Sequence, residues 1–395
     1  MILFIFSNIS FATASLILKE NEFTRRLPIS HELISIAAGP GIFYNEQGCV
    51  FKNSKFIKYM AALQPGYFRF GGTRLVVQLS LALMSFIRAD LMTFLPTSKP
   101  KSVCNLSRWS KELGKPFAPV FLYKEDVQSL IDFSKKTSKR MLFGLNLNAR
   151  HEDGSWNSTN IELLLDFFRQ QNFSPDFELG NEPNSYSHHF NYTMTPEQQA
   201  SDFEKLHKIL HQKGFQSSKL IGPSTTGRGP TALSYFSRFL KEQPPIDFAA
   251  YHHYTLNGHI ATVNDFLNPS SFYAYGNESK IWTKTATNFK TRPFISEGAL
   301  AYGGGANNIS DRFVSSFLWA DKLAMSALTG IRAFCRETAF GGAYALLNSK
   351  LHPTPSYWVS FYFRQFFSGH ILSMQTVNKP DAFHRIYNFC SKDNK

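Results

Sequence analysis

Cysteine is scarce in this chain, four in 395 residues. That is too few for a disulfide-built scaffold, and no Cys-x-x-Cys pair exists, so a zinc finger is excluded too. A nucleotide-binding glycine motif, an internal repeat, a low-complexity tract and a collagen-like period are all missing. So are long apolar runs. The most apolar later stretch, Leu75 to Ile87, is broken by Gln78 and Ser80 and meets Arg88 and Asp90. It falls short of the roughly 20 residues that span a bilayer, so no transmembrane helix is expected. Acidic residues are the scarcer sign: 29 Asp plus Glu against 42 Lys plus Arg leaves a net charge of +13. That imbalance is silent on fold but favours an anionic partner: nucleic acid, anionic lipid, or a sulfated or carboxylated polymer.

What is present is enough apolar residue, 43% against 18% charged, to build a core. The length sits near one (β/α)₈ barrel with an attachment. At the N-terminus, Met1 to Phe6 is apolar and Ala12-Thr13-Ala14 has the small-x-small form of a signal-peptidase site, but no positive charge precedes it. A clipped signal peptide and an ordinary apolar strand both stay open. Asn-x-Ser/Thr sequons at Asn8, Asn105, Asn157, Asn172, Asn191, Asn277 and Asn308 tilt the reading mildly toward the secretory route.

Along the chain a short apolar run, a turn and an amphipathic stretch recur, which is the βα rhythm. The runs predict strands at Leu33–Ala38, Tyr67–Phe70, Met141–Leu147, Asp176–Gly180, Lys219–Gly222, Asp247–Tyr254, Pro293–Glu297 and Ile331–Glu337. Helical spacing marks Ile161–Gln171, Pro196–Gln212 behind a Thr195-Pro196-Glu197 N-cap signature, and Ser310–Leu328. Eight strands with interleaved helices predict a closed (β/α)₈ barrel rather than a doubly wound sheet. Between Thr73 and Glu125 the rhythm fails. Residues 74–124, with Pro96, Pro100, Pro116 and Pro119, read as an irregular insertion or linker. Lys135, Lys136, Lys139 and Arg140 read as a solvated charged face.

Catalytic groups of such barrels sit at the C-terminal ends of strands. Those ends here are polar: Phe70-Gly71-Gly72-Thr73, Asn146-Leu147-Asn148, Gly180-Asn181-Glu182-Pro183-Asn184, His252-His253-Tyr254 and Ser296-Glu297-Gly298. Any one of them alone is a common loop cap. Two glutamates, Glu182 and Glu297, facing one mouth are the pair that glycosidic cleavage needs: a protonated acid for the leaving oxygen and an ionised group for the anomeric carbon. Their environments must differ, and Asn181 and Tyr254 are candidate donors for that difference. His252 and His253 alternate across the strand, so only one faces the mouth. Hydrogen-bonding roles are favoured over a metal site, and neither metal nor cofactor is expected.

Phe-Arg-Phe-Gly-Gly-Thr (68–73), Glu-Leu-Gly-Asn-Glu-Pro-Asn-Ser-Tyr (178–186), Tyr-His-His-Tyr-Thr-Leu-Asn-Gly (251–258), and Glu297 followed by Ala301-Tyr302-Gly303-Gly304-Gly305-Ala306 closely resemble the heparanases of glycoside hydrolase family 79. The resemblance covers most of positions 15–73 and 125–390. It implies a retaining endo-β-glucuronidase acting on heparan sulfate or a heparin-like polyanionic glycan, not on nucleic acid. It implies Glu182 as general acid/base, Glu297 as nucleophile, Asn181 as donor to the sugar, and Tyr254 as the residue that orients the nucleophile. Backbone amides of Gly303 and Gly304, with Thr73, Tyr302 and Tyr344, would recognise the uronate. It also implies a glycoprotein of the secretory route, lysosomal or extracellular, at the matrix and membrane-associated without a span. By this reading residues 1–30 hold a signal remnant and a β-sandwich strand, 31–370 the barrel, and 371–395 an incomplete C-terminal β-sandwich.

The chain also departs from the heparanase pattern. Ala37-Ala38-Gly39 stands where the family has an acidic strand end, and His259 where it has an arginine. Its basic segments are thinned to Arg228 and Arg238, and to Lys111, Lys115 and Lys124. Cys390 resembles a half-cystine whose partner lies beyond the chain, so it is expected to be unpaired. Two rivals remain: an exo-acting or other β-glucuronidase of the same clan, and a non-catalytic, heparan-sulfate-binding truncated homologue.

Overall fold

The computed structural model describes residues 3–5, 27–40, 50–72, 92–97, 120–190, 192–367, 369–379 and 382–389. Eight parallel strands close into a barrel: β3 (Ile34–Ala38), β4 (Tyr67–Phe70), β7 (Arg140–Leu145), β8 (Asp176–Leu179), β9 (Leu220–Thr225), β10 (Phe248–Asn257), β11 (Arg292–Tyr302) and β12 (Phe334–Arg336), with β12 pairing back onto β3. They are the eight expected from sequence, with ends shifted by a few residues. Strands buried on both faces read as near-continuous apolar runs, which is why they were visible.

Side-chain alternation divides each strand between two cores. On β4, Phe68 and Phe70 face outward into the large core shared with the helices, while Tyr67 joins an inner cluster with Ala37, Leu142, Ile221 and Phe294. On β8, Phe177 and Leu179 face outward, which leaves Asp176 and Glu178 inside the barrel. Tyr67 donates to Asp176 at 3.0 Å, and Arg140 closes the floor by pairing with the same carboxylate. The outer layer comprises α1 (Ser54–Ala61), α2 (Lys124–Thr137), α3 (Thr159–Gln170), α4 (Tyr186–His189), α5 (Pro196–Gln212), α6 (Pro230–Lys241), α7 (Val263–Leu267), α8 (Pro269–Asn288), α9 (Val314–Leu328) and α10 (Pro355–Phe366). In α5, the Thr195 hydroxyl accepts from the Gln198 amide and Pro196 takes the first helical position, as the cap signature requires.

Two expectations need correction. Lys139 is not on a solvated face: it is buried, its Nζ donates to the Leu63 carbonyl at 2.9 Å, and burial pushes its amine down to about 7. Within the irregular segment, β5 (Met92–Leu95) and β6 (Val120–Tyr123) pair in parallel, and β6 runs straight into α2. That pairing is non-local, so periodicity alone does not reveal it. The signal-like triplet Ala12–Ala14 and Cys390 lie outside the described residues.

The strands expected beyond the barrel form a four-stranded antiparallel sheet in the order β1 (Leu3–Ile5), β14 (Ala382–Phe389), β13 (His370–Lys379), β2 (Leu27–Pro28). Its tie to the barrel is a buried charge pair. Arg385 Nη1 on β14 donates to Asp321 Oδ2 on α9 at 2.7 Å and to the Phe272 carbonyl on α8 at 3.0 Å. The Tyr387 hydroxyl donates to the other Asp321 oxygen. Burial pushes the Asp321 carboxyl up to about 6, with Arg385 opposing. Asp321→Ala strands a guanidinium in the interior, and urea denaturation is expected to show a loss of about 3–5 kcal/mol. A loss below about 1 kcal/mol would mean the pair does not hold the sheet.

Candidate active site

The C-terminal ends of the strands surround an open cleft of about 1000 Å³, with Glu182, His252, Tyr254, Glu297, Glu337 and Tyr344 in its wall. Beyond β8 the chain must turn sharply. Gly180 takes φ 85°, where an added Cβ would stand 2.7 Å from Leu147 Cδ2, so only glycine fits. Glu182 itself lies at φ 52°, a left-handed conformation that glutamate seldom adopts. Its neighbours hold it there. The Glu182 amide donates to the Ser224 carbonyl at 3.0 Å, and the Ser185 hydroxyl donates to the Glu182 carbonyl at 2.8 Å. Asn184 brackets Thr226 with two bonds of 2.8 and 2.9 Å. Strain of this kind collects at functional sites.

Glu297 reaches the same mouth through a bulge. Tyr251 pairs with Ile295 but His252 with Glu297, so Ser296 is the extra residue. Tyr254 donates its hydroxyl to Glu297 Oε1 at 2.7 Å, and Arg69 Nη1 donates to Oε2 at 2.6 Å. Burial works against the Glu297 charge, but the neighbouring His252, Arg69 and the Tyr254 hydroxyl hold the carboxyl below its ordinary value. Across the cleft, His252 Nδ1 lies 2.8 Å from Glu182 Oε1 and 4.0 Å from Glu297 Oε1. His253 points the other way, its Nε2 2.7 Å from Glu278 Oε2 on α8. Burial and the adjacent Lys322 push the His253 imidazole down to about 3, so it is neutral.

Behind these groups lies Arg69, fully buried. Its Nε donates to Glu178 Oε1, Nη1 to Glu297 Oε2 and Nη2 to Asn181 Oδ1, each at 2.6 Å. Burial disfavours its charge, yet Glu178 and Glu297 raise its pKa further, so it stays ionised. Glu178 Oε2 accepts from the Ser224 hydroxyl at 3.0 Å. Sequence reasoning quoted Arg69 and Glu178 within motifs but gave them no role. The available signal was a charge inside an apolar strand at an inward position.

The remaining expected residues divide. Asn181 lies beside Glu182, with its side-chain oxygen on Arg69. Tyr302, Gly303, Gly304 and Tyr344 line the cleft. Gly303, Gly304 and Gly305 all have positive φ; a Cβ on Gly303 would stand 2.5 Å from His259 Nε2, and one on Gly305 2.7 Å from the Tyr344 amide. Thr73 lies outside the described residues. Asn146 caps its own loop, accepting from the Asn148 amide at 2.8 Å. Arg228 reaches the cleft wall but is bound to Glu278 at 2.6 Å and to the Thr255 carbonyl at 2.7 Å. Arg238 pairs with Glu197. Glu337, which sequence reasoning passed over, also lines the cleft.

Glu182, His252 and Glu297 bring one ligand atom each within 4.8 Å of one another, a grouping able to hold a cation. Both Glu297 oxygens already accept hydrogen bonds, however, and one donor is the Arg69 guanidinium. A divalent ion would sit against that fixed positive charge, so the arrangement fits a hydrogen-bonded carboxylate pair better than a metal centre.

A closed parallel barrel with two carboxylates across one mouth defines the class: a glycoside hydrolase. The profile of glycosyl hydrolase family 79, N-terminal domain, matches residues 93–324. Rat (Rattus norvegicus) heparanase is 31% identical over 93% of this chain and 74% of its own length. A hyaluronoglucuronidase of Hirudo nipponia is 27% identical over 86% of this chain and 70% of its own. Among solved structures, a 4-O-α-L-rhamnosyl-β-D-glucuronidase of Fusarium oxysporum shares the fold, with TM-score 0.63 at 13% identity over 94% of this chain and 78% of that one. The chain belongs to glycoside hydrolase family 79, as a heparanase-like member.

The Tyr254 bond makes a measurable claim. Tyr254→Phe removes a hydrogen bond to a charged acceptor, so the Glu297 carboxyl should titrate at higher pH than in the parent. Carboxyl-carbon NMR titration of the variant against the parent reads this directly; an unmoved Glu297 resonance would show that the hydroxyl does not stabilise its charge.

Proposed function

We propose that this protein is a retaining endo-β-glucuronidase that cleaves internal glucuronosyl linkages of a glycosaminoglycan of the heparan sulfate type. The observation that carries the reading is the approach of the two carboxylates: an oxygen of Glu182 and one of Glu297 lie within 4.8 Å. Retaining glycosidases set their carboxyl groups about 5–5.5 Å apart, and inverting ones about 6.5–9.5 Å to admit a water. Glu297, held ionised by two donors, attacks the anomeric carbon while Glu182 gives its proton to the leaving oxygen. Water then attacks the glycosyl-enzyme, Glu182 takes a proton from it, and the Glu297 carboxylate is released. Asn181 and Tyr254 orient the sugar and the nucleophile, while the amides of Gly303 and Gly304, with Thr73, Tyr302 and Tyr344, hold the uronate.

The glucuronoside specificity rests on relatives named heparanase and hyaluronoglucuronidase. The endo assignment follows the resemblance to the heparanases. Exposed Asn172, Asn277 and Asn308, each heading a sequon, support a glycosylated protein of the secretory route, lysosomal or extracellular. No helix among the described residues is long and apolar enough to cross a membrane.

Size-defined heparan sulfate and hyaluronan, incubated with the protein, test the reading. Shortening of internal linkages is expected, the first-formed reducing end is expected as the β-anomer by proton NMR, and Glu182→Gln and Glu297→Gln should each lower turnover by about 10²–10⁴-fold. Release of monosaccharide alone would make the enzyme exo-acting. An α-anomer appearing first would remove Glu297 as nucleophile. Binding to heparin without any shortening would make the protein a lectin-like homologue instead.

A further inference from the structure

The two-carboxylate chemistry leaves a third carboxyl in the cleft unused. Glu337 follows β12 and lines the cleft with Glu182 and Glu297. Its main chain is clamped: the amide donates to the Gly298 carbonyl at 2.8 Å, and the carbonyl accepts from Arg336 Nη1 at 2.9 Å. Its side chain is not, because Oε2 is buried without a hydrogen-bond partner. The charged and titratable groups around it come from the whole rim: Glu297 on β11, Glu182 beyond β8, Arg69 on β4, Cys335 and Arg336 on β12, and Tyr254 on β10, with Tyr344 lining the same cleft. Neither arginine is hydrogen-bonded to its carboxyl: Arg69 is committed to Glu178, Glu297 and Asn181, and Arg336 lies over the Trp319 ring at 4.7 Å with Nε and Nη2 buried and without a hydrogen-bond partner. Burial and the Glu297 charge push the Glu337 carboxyl up to about 8, with Glu182 adding to the shift and Arg69 and Arg336 opposing it. At neutral pH such a group carries its proton, and a protonated carboxyl is a donor where Glu297 is an acceptor.

We propose that Glu337 binds the substrate as an undissociated acid, donating its O–H to an acceptor oxygen of the glucuronosyl unit that lies over Glu297. This rests on the glucuronidase reading and adds a binding group to it. Once ionised, Glu337 loses the donor and sets a third negative charge against an anionic sugar. Affinity should therefore be constant at lower pH and fall above about pH 8, by up to about tenfold per unit. Gln in its place keeps a donor and cannot titrate.

The test is calorimetric binding of D-glucuronic acid from about pH 6 to about pH 9.5 by the full chain, Glu337→Gln and Glu337→Ala, with infrared difference spectra of the full chain against Glu337→Gln. The parent Kd is expected to rise above about pH 8 while that of Glu337→Gln stays within about twofold; Glu337→Ala should bind roughly 2–10-fold more weakly already at pH 6. The spectra should show a carboxylic-acid C=O stretch at neutral pH that the Gln variant lacks. Parallel loss of affinity in the parent and the Gln variant, or a carboxylate band in place of the acid, overturns the proposal while leaving hydrolysis of glucuronosyl linkages intact. Neither binding nor hydrolysis by the folded parent at any pH would overturn the functional reading, and this inference with it.

Discussion

One buried guanidinium, Arg69, organises the site. From β4 it reaches Glu178 on β8, Asn181 in the turn after β8, and Glu297 on β11, each at 2.6 Å. A charge at that depth is tolerable only if its donors are satisfied, because breaking such an arrangement on one side typically costs 3–5 kcal/mol. The planar fork of arginine offers donors in fixed directions, which a lysine does not. Satisfying Arg69 therefore dictates where three acceptors stand, and one of them is the carboxylate that the proposed reaction brings to the anomeric carbon. The same bond that neutralises the barrel interior aims Glu297.

The three carboxyls of the cleft differ in what faces them, and their environments follow. Glu297 accepts from an arginine and a tyrosine and is held ionised despite burial. Glu182 sits on His252 Nδ1 at the end of a strained turn. Glu337 has an oxygen without a donor, and burial beside the Glu297 charge pushes its carboxyl up. Interacting carboxylates cannot all carry charge in a small volume, so stabilising one disfavours the others. Arg69 and Tyr254, by fixing the charge on Glu297, also set the field that Glu337 feels.

The barrel was legible from sequence because parallel strands buried on both faces are apolar throughout, and all eight runs stood out. The paired glutamates were legible because each ended such a run. Arg69 and Glu178 escaped for the converse reason. A charge in an apolar strand has meaning only when the facing strand is known, and that pairing is a property of closure. Lys139 failed similarly: among neighbouring cations it reads as surface, yet the turn into β7 carries it beneath the Leu63 carbonyl. The β5–β6 pair was hidden by the proline-bearing chain between its strands.

The net charge of +13 first pointed to an anionic partner, but among the described residues the cleft does not meet that partner with free cations. Arg228, the one lysine or arginine among the described residues lining it, is spent on Glu278. Glu278 in turn is held down to about 2 against burial by His253 and Arg228. In the proposed reaction this restraint has a physical reason. The transition state is oxocarbenium-like, so positive charge develops at the sugar ring. A lysine placed to bind the uronate would oppose that charge at close range, where the low dielectric of a cleft magnifies the penalty. On the proposed reading, neutral donors, the amides of Gly303 and Gly304 and a protonated Glu337, would hold the glucuronosyl unit without adding a positive field. On the same reading the surface charge would serve encounter with a polyanion, and the cleft the bond.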